Sequence, residues 1–350
     1  MSINLSSLAK DMDFSQEDIQ HILDNLDSFS PEELSEIDSI VGELSARETN
    51  KAAYDDLIEF CKRMQPDYKV GRHHRILANM LMDVERGPTA EDGKDRVCVN
   101  IPPRHGKSQL VSIFYPAWFL GRNPDKKVMM VSHTTDLAVD FGRKVRNLIA
   151  LDEYKTIFPE VSLAVDSKSA GRWNTNFGGE YFACGIGSAL AGRGADLLLV
   201  DDPHSEQDVI NGNFSVFEKA YEWFTFGART RLMPGGRVAI VQTRWHMDDL
   251  TGRVTNDMVK NEMADQYEIV EFPAILDSED ESGKPIQKPL WPEFFDLNAL
   301  LRTKASMPAF QWNAQYQQQP TAEEAALIKR DWWGVWKQEH PPECEYVIMS

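Results

Sequence analysis

Two hydrophobic periods alternate along most of this chain. From Arg96 onward, short apolar runs of strand length give way to amphipathic stretches of helical length, the pattern of an α/β protein. Val97 to Ile101 reads as a strand, Lys107 to Leu120 as a helix and Val128 to Ser132 as a second strand. Thr134-Thr135-Asp136 then caps a helix running to Leu148. Gly178-Gly179 ahead of Glu180 to Cys184 predicts a hairpin. Ala195 to Asp201 is apolar without interruption until its end, as in a strand covered on both faces. Phe214 to Arg229 has helical spacing, Arg237 to Gln242 is another strand and Asp248 to Lys260 another helix. No internal repeat or low-complexity tract breaks this order.

The two ends differ from the middle. Ser15-Gln-Glu-Asp and Ser30-Pro31-Glu32-Glu33 are helix N-cap signals, and Ile19, Ile22, Leu23 and Leu26 recur at helical spacing. They predict a small acidic helical pair, packed on the main body or on a partner. A further helix is expected from Ala52 to Met64, followed by a basic, aromatic segment from Tyr68 to Leu77. Asp277 to Pro285 is polar, charged and turn-rich, and reads as an exposed loop. From there to Trp336 the sequence is aromatic-rich and irregular, as in a small lid or linker subdomain. Tyr346 to Ser350 has the look of a β-strand cut short, so the chain is expected to be a fragment. The expected organisation is an acidic helical segment over 1–50, an α/β core over 51–276, a lid or linker over 277–340 and the start of a further domain over 341–350.

Composition narrows the class. Hydrophobic residues make up 42% and charged residues 26%, which is ordinary for a globular protein. The longest apolar run, Val111 to Leu120, falls short of the ~20 residues that cross a bilayer and carries Pro116, so no membrane partner is expected. The acidic, polar N-terminus is unlike a signal peptide. Cys61, Cys98, Cys184 and Cys344 lie far apart without a CxxC pair, which argues against zinc and against a disulfide framework and suits a reducing cytosol. The net charge of −18 excludes coating of DNA through bulk charge. About two-thirds of that excess lies in the first sixty residues, so the remainder has room for a local basic groove. Lys126-Lys127, Arg143-Lys144-Arg146 and Lys168 to Trp173 are candidate DNA contacts, each equally readable as a solvated face.

Three segments carry chemistry. Asn100-Ile-Pro-Pro-Arg-His-Gly-Lys-Ser108 follows a strand and opens a helix, the setting of a phosphate-binding loop. Pro103, Arg104, His105, Gly106, Lys107, Ser108 and Gln109 would surround the phosphates of ATP, with Lys107 against the β and γ groups and Ser108 on Mg2+. The match to GxxxxGK[ST] is imperfect, because Ile101 stands at the first glycine. A chance Gly-Lys-Ser in a βα turn is the alternative. Leu197-Leu-Leu-Val-Asp-Asp202 ends an apolar strand in two carboxylates. Asp201 is expected to hold Mg2+ and Asp202 to deprotonate the attacking water, unless the pair is an ordinary acidic turn before Pro203. Lys107 and Asp202 are ninety-five residues apart, which suits a sheet with another strand between theirs. Gln242, Thr243 and Arg244 end the next apolar strand, in place to sense the γ-phosphate. Arg104 in the loop and Arg193 before the second strand are candidates to stabilise charge on the transferred phosphoryl group, with a surface ion pair as the alternative for Arg193. Arg229 and Arg231 are weaker ones. The histidines lack metal-site spacing, and His74 is a candidate wall of an adenine pocket.

Together, Pro-Pro-Arg-His-Gly-Lys-Ser, the strand ending Val-Asp-Asp-Pro and Gln-Thr-Arg-Trp-His246 resemble the large terminase subunit of tailed bacteriophages. Phe310-Gln-Trp-Asn-Ala-Gln-Tyr-Gln-Gln-Gln-Pro320 is similar to the linker of that family. The resemblance covers roughly residues 60 to 336 and implies a P-loop NTPase of the ASCE type, with a mostly parallel sheet between helices and a small lid. It implies an ATPase with Mg2+ that pumps double-stranded DNA into a procapsid, assembled as a pentameric ring on the portal protein and partnered by a small terminase subunit. The place of action would be the cytoplasm of the infected host. In that family an arginine matching Arg104 and one matching Arg193 serve hydrolysis, the latter on a neighbouring subunit's ATP, and Gln242-Thr-Arg matches a coupling motif. Full-length members carry a Mg2+-dependent nuclease domain, which is expected to be missing from this chain. Two other readings stay open: a superfamily-2 helicase, since Asp201-Asp-Pro-His204 resembles its DExH box, and a nucleotide-binding switch without useful turnover.

Overall fold

The structure, a computed structural model, describes residues 29–91, 93–167, 169–210, 214–280 and 282–321. The proposed cap at Ser15, the apolar residues 19–26, Lys168, Trp336 and the strand at 346–350 lie outside them. Helix α1 (Pro31–Asp55) begins as expected: the Glu33 N–H donates to Ser30 Oγ at 3.3 Å, and the Ser30 N–H donates to Glu33 Oε2 at 2.8 Å, closing a capping box. The helix expected over 52–64 is broken at Asp56. Its carboxylate accepts the N–H groups of Ile58 and Glu59 at 2.8 and 3.0 Å and so starts α2 (Leu57–Met64) afresh.

After α3 (Arg72–Arg86) the chain enters a seven-stranded sheet. The strands are β1 (Arg96–Asn100), β2 (Lys127–Ser132), β3 (Arg172–Asn174), β4 (Glu180–Gly185), β5 (Ala195–Asp201), β6 (Leu232–Gln242) and β7 (Glu268–Glu271), in the spatial order β3-β4-β2-β5-β6-β1-β7. Every pairing is parallel except β3 with β4, the hairpin expected at Gly178-Gly179. β6 lies between β1 and β5, as the spacing of their motifs predicts. Parallel strands covered on both faces account for the unbroken apolar text of β5, whose Leu197, Leu198, Leu199 and Val200 are all inaccessible.

The two faces have separate cores. On one, Val97, Val99, Leu197, Leu199, Ala239 and Val241 pack with the helices that follow β1 and β2. These are α4, a helical run over 107–122, and α5 (Thr135–Ile149), trailed by α6 (Asp152–Ile157). In α4 the ladder widens to a π-helical turn at Leu110–Phe114, just before Pro116, which has no N–H to give to the preceding turn. On the other face Cys98, Leu198, Val200, Val238 and Ile240 meet α8 (Ser215–Glu222), with its continuation through Ala228, and α9 (Leu250–Lys260). The short α7 (Glu206–Ile210) precedes α8.

The polar stretch at Asp277 to Pro285 is not a plain loop. β8 (Ile275–Glu279) and β9 (Pro285–Pro289) pair antiparallel across it. Most of their residues are exposed, so no apolar alternation betrays them. With α10 (Leu297–Ala305) and α11 (Ala309–Gln315) they surround a third small core of Ala274, Ile275, Leu300 and Trp312. No helix among the described residues is long and apolar enough to cross a membrane.

Candidate functional site

The site lies where β1, β5 and β6 end side by side. Ile101 explains the imperfect loop motif. Its N–H donates to the Gln242 C=O at 3.0 Å, continuing β1, and its side chain is inaccessible. Extended backbone needs no glycine there; the loop turns later, at Arg104 (φ 63°) and Gly106 (φ 78°). A Cβ on Gly106 would lie 2.2 Å from His74 Nε2, so both φ and space demand glycine.

Histidines brace the loop from behind. The His105 C=O receives His73 Nε2 and His74 Nε2, each at 3.0 Å. His74 Nδ1 accepts the Gly71 N–H at 2.9 Å, which leaves the proton on Nε2. Trp291 stands edge-on to His74 at 4.7 Å, and Phe295 stacks on His105 at 4.8 Å. Burial holds His74 down to about 3, with the neighbouring His73 adding to it, and holds His105 down to about 4. His204, behind the carboxylates, is likewise held to about 4 by burial and accepts the Leu250 N–H at 2.9 Å. These imidazoles are neutral in the fold, whereas an unfolded chain protonates them near the ordinary 6.5. The unfolded state therefore binds more protons between those values, and stability falls as pH drops from about 6.5 towards 4. Thermal melts across that range should show a progressive loss on the order of a few kcal/mol; a flat profile would contradict this bracing role.

Lys107 starts α4 nearly buried, with its Nζ 2.7 Å from Asp202 Oδ2. Burial opposes its charge, but Asp202 and Asp201 outweigh it and raise the ammonium above its usual range. Asp201 is inaccessible, and burial followed by repulsion from Asp202 pushes it up to about 6. Its Oδ2 accepts Ser112 Oγ at 2.6 Å, from the π-helical turn, while its Oδ1 has no partner among the described residues. That unsatisfied buried oxygen, with the Ser108 hydroxyl from the start of α4, is a hard-oxygen donor set fitted to Mg2+. Asp202 has left-handed backbone at φ 45°, a strain of the sort functional sites retain. Its Oδ1 accepts the Thr243 N–H at 2.9 Å, and its C=O receives the His133 N–H at 3.1 Å and His133 Nδ1 at 3.2 Å.

A cleft of about 620 Å³ opens in front of the loop. Pro103, Arg104, Gly106, Lys107, Ser108 and Gln109 line one side, with His74, Gln65, Tyr68, Trp291 and Phe294 facing them. Trp291 and Phe294 are stacked at 4.6 Å, and Gln109 Nε2 donates to Gln65 Oε1 at 2.6 Å. Arg104 has no ion-pair partner among the described residues. Of the expected residues, Pro103 through Gln109, His74, Asp201, Asp202 and Thr243 thus come together.

Gln242, Arg244 and Arg193 do not turn their side chains to the loop. The pleat of β6 puts Thr243 on the α4 side, where its hydroxyl donates to the Ile101 C=O at 3.0 Å. Gln242 points to the opposite face and donates to Thr251 Oγ1 at 2.6 Å. The Arg244 guanidinium is occupied by buried Asp249, at 2.8 Å, and by Glu271, at 3.3 Å. Arg193 lies over Phe182 and donates to Glu180 Oε1 at 3.3 Å, at the sheet end far from the loop. The candidate DNA contacts are also engaged: Arg143 and Lys144 with Asp140, Lys126 with Asp196, Arg172 with Glu180. Sequence reasoning missed Gln65, Trp291 and Phe294, although the density of aromatic residues around 291–295 was a usable signal.

A family described as terminase large subunit, T4likevirus-type, N-terminal, matches residues 98–334. The chain belongs to the large terminase family. The match takes in the loop, both carboxylates and the strand end at Gln242. No curated protein matches the chain. Among solved structures, the large terminase of bacteriophage HK97 is 14% identical with a TM-score of 0.48, over 76% of this chain and 55% of that one. The ATPase domain of a Thermus phage large terminase is 16% identical with a TM-score of 0.41, over 73% and 95%. The large terminase of a thermophilic bacteriophage, in complex with ATP-γ-S, is 9% identical with a TM-score of 0.42, over 71% and 52%. The chain thus spans about half the length of the HK97 terminase it resembles.

Proposed function

We propose that this chain is the ATP-hydrolysing motor portion of a large terminase, which drives double-stranded viral DNA into a procapsid. The observation that carries the reading is the convergence of Lys107, Asp201 and Asp202 beside a glycine-turned loop at one helix start, in a chain of this family. The loop N–H groups and the positive end of α4 would cradle the phosphates of ATP, with Lys107 reaching the β and γ groups. Trp291 and Phe294 line the wall of the cleft against which a base would rest. Ser108 and Asp201 would hold Mg2+, which supplies charge neutralisation on the phosphate oxygens.

The Lys107–Asp202 ion pair defines a resting state. Arriving phosphate draws Lys107 away, and Asp202 Oδ2 is then free to accept a proton from water. The water oxygen bonds to the γ-phosphorus, the bond to the β-bridging oxygen breaks, and ADP leaves with its electron pair. Thr243 contacts both Asp202 and the strand leading into the loop, so phosphate loss changes its surroundings directly. The 275–319 cluster of β8, β9, α10 and α11 is the lid that would move in response. Family membership favours this motor over the helicase and the inert switch.

A pentameric ring on the portal, a small terminase subunit as partner and the host cytoplasm as location follow from the family reading. Arg193 is far from its own loop, which suits action on a neighbour's ATP. Mixing Arg193→Ala with Asp202→Asn chains on assembled rings should restore part of the turnover that each lacks alone. No restoration would contradict the trans role.

A further inference from the structure

Gln318 is inaccessible although its side chain is an amide, and its backbone is left-handed at φ 60°. Both features are unfavourable, so its contacts must hold it there. Its Oε1 accepts the Arg244 N–H at 3.1 Å, and its Nε2 donates to the Gln315 C=O at 2.5 Å. Adjacent Gln317 faces elsewhere. Its Oε1 accepts the Ile275 N–H at 3.2 Å and its Nε2 donates to the Ile275 C=O at 3.1 Å, the pair of bonds a neighbouring strand would make. Two consecutive glutamines thus fasten the end of α11 to two places, the base of the β8–β9 hairpin and the end of β6.

The second place is the carboxylate site. Thr243 and Arg244 are successive residues whose N–H groups point to successive acceptors, Asp202 Oδ1 and Gln318 Oε1. The Arg244 guanidinium is held separately, by Asp249 and Glu271, so Gln318 is the acceptor that fixes the orientation of the 243–244 peptide. Removing that acceptor leaves a buried N–H without a partner, and the turn must shift to satisfy it. Asp202 then keeps Lys107 but loses the bond that orients its other oxygen.

We propose that Gln318 is a positioning residue for Asp202, acting through the Arg244 and Thr243 peptide groups, so that ATP turnover depends on the bond from the Arg244 N–H to Gln318 Oε1. This rests on the ATPase reading above. The cleft that would take the phosphates and the base is lined by the loop and the aromatic wall and not by this turn, so the effect falls on kcat rather than KM.

The test is steady-state ATP hydrolysis with Mg2+ by the full 350-residue chain, unaltered and as Gln318→Met and Gln317→Met. Methionine keeps the length of glutamine and removes its hydrogen bonds. Gln318→Met is expected to lower kcat about ten- to a hundredfold with KM moved less than about threefold. Gln317→Met loses as many bonds yet should keep kcat within about twofold. A merely structural role predicts similar kcat losses in both variants, and that result, or an effect confined to KM, overturns the proposal. Should Gln318→Met fail to fold, hydrogen exchange at the Arg244 amide of the unaltered chain decides. Protection that differs between nucleotide-free and nucleotide-bound states supports the proposal, and identical protection overturns it. Absence of turnover in the unaltered chain at any protein concentration defeats the ATPase reading and this proposal with it; turnover insensitive to Gln318→Met defeats this proposal alone.

Discussion

Lys107→Ala is expected to lower ATP turnover by at least about a thousandfold. Lys107 is the cation that the structure delivers, nearly buried, to the mouth of the loop, and its ammonium is 2.7 Å from Asp202. A second effect follows from the same geometry. Without Lys107, Asp201 and Asp202 face each other without the charge that offsets their repulsion, so the already elevated Asp201 should rise further from about 6. Nucleotide affinity should fall together with turnover, because the phosphates lose their main cationic contact. Equilibrium titration with a fluorescent nucleotide beside a phosphate-release assay separates the two losses. Turnover surviving in Lys107→Ala would remove the loop from the mechanism.

Asp202→Asn should behave in the opposite way towards binding. Asparagine still offers an oxygen to the Thr243 N–H, so the turn at the end of β6 keeps its bond. It carries no charge to hold Lys107, which is then free for phosphate from the start. Affinity for ATP should be unchanged or tighter, while turnover falls about a hundred- to ten-thousandfold for want of a proton acceptor. Single-turnover hydrolysis with prebound nucleotide measures this directly. Near-normal hydrolysis would sink the general-base assignment and leave Asp202 as a partner that merely parks the lysine.

Some of this site can be read from the chain and some cannot, for physical reasons. The apolar run ending in Asp201 and Asp202 announces itself because a strand buried on both faces tolerates no polar residue until it reaches the edge. The loop is legible from Gly106-Lys107-Ser108, since φ 78° and the closeness of His74 leave glycine alone at 106. Ile101 looked like a defect only because the motif counts residues; the backbone there is still strand. The roles of Gln242 and Thr243 depend on the pleat, and a shift of one residue reverses which side chain faces the phosphates. Periodicity sets the face only once the register against β1 and β5 is known.

The hairpin of β8 and β9 escaped because most of its residues are exposed, so no apolar alternation marks its strands. Gln317 and Gln318 read as part of a polar linker, since an amide does not advertise its partner. Theirs are forty-two and seventy-four residues away. Arg193 illustrates the reverse: its sequence position before β5 is conspicuous, yet among the described residues it reaches Glu180 and Phe182.

Mg2+-dependent ATP hydrolysis by residues 1–350 at high protein concentration, measured beside Lys107→Ala, tests the proposed motor most directly. The motor reading requires turnover that depends on Mg2+ and vanishes in the variant. Nucleotide bound at the loop with no turnover at any protein concentration would contradict it.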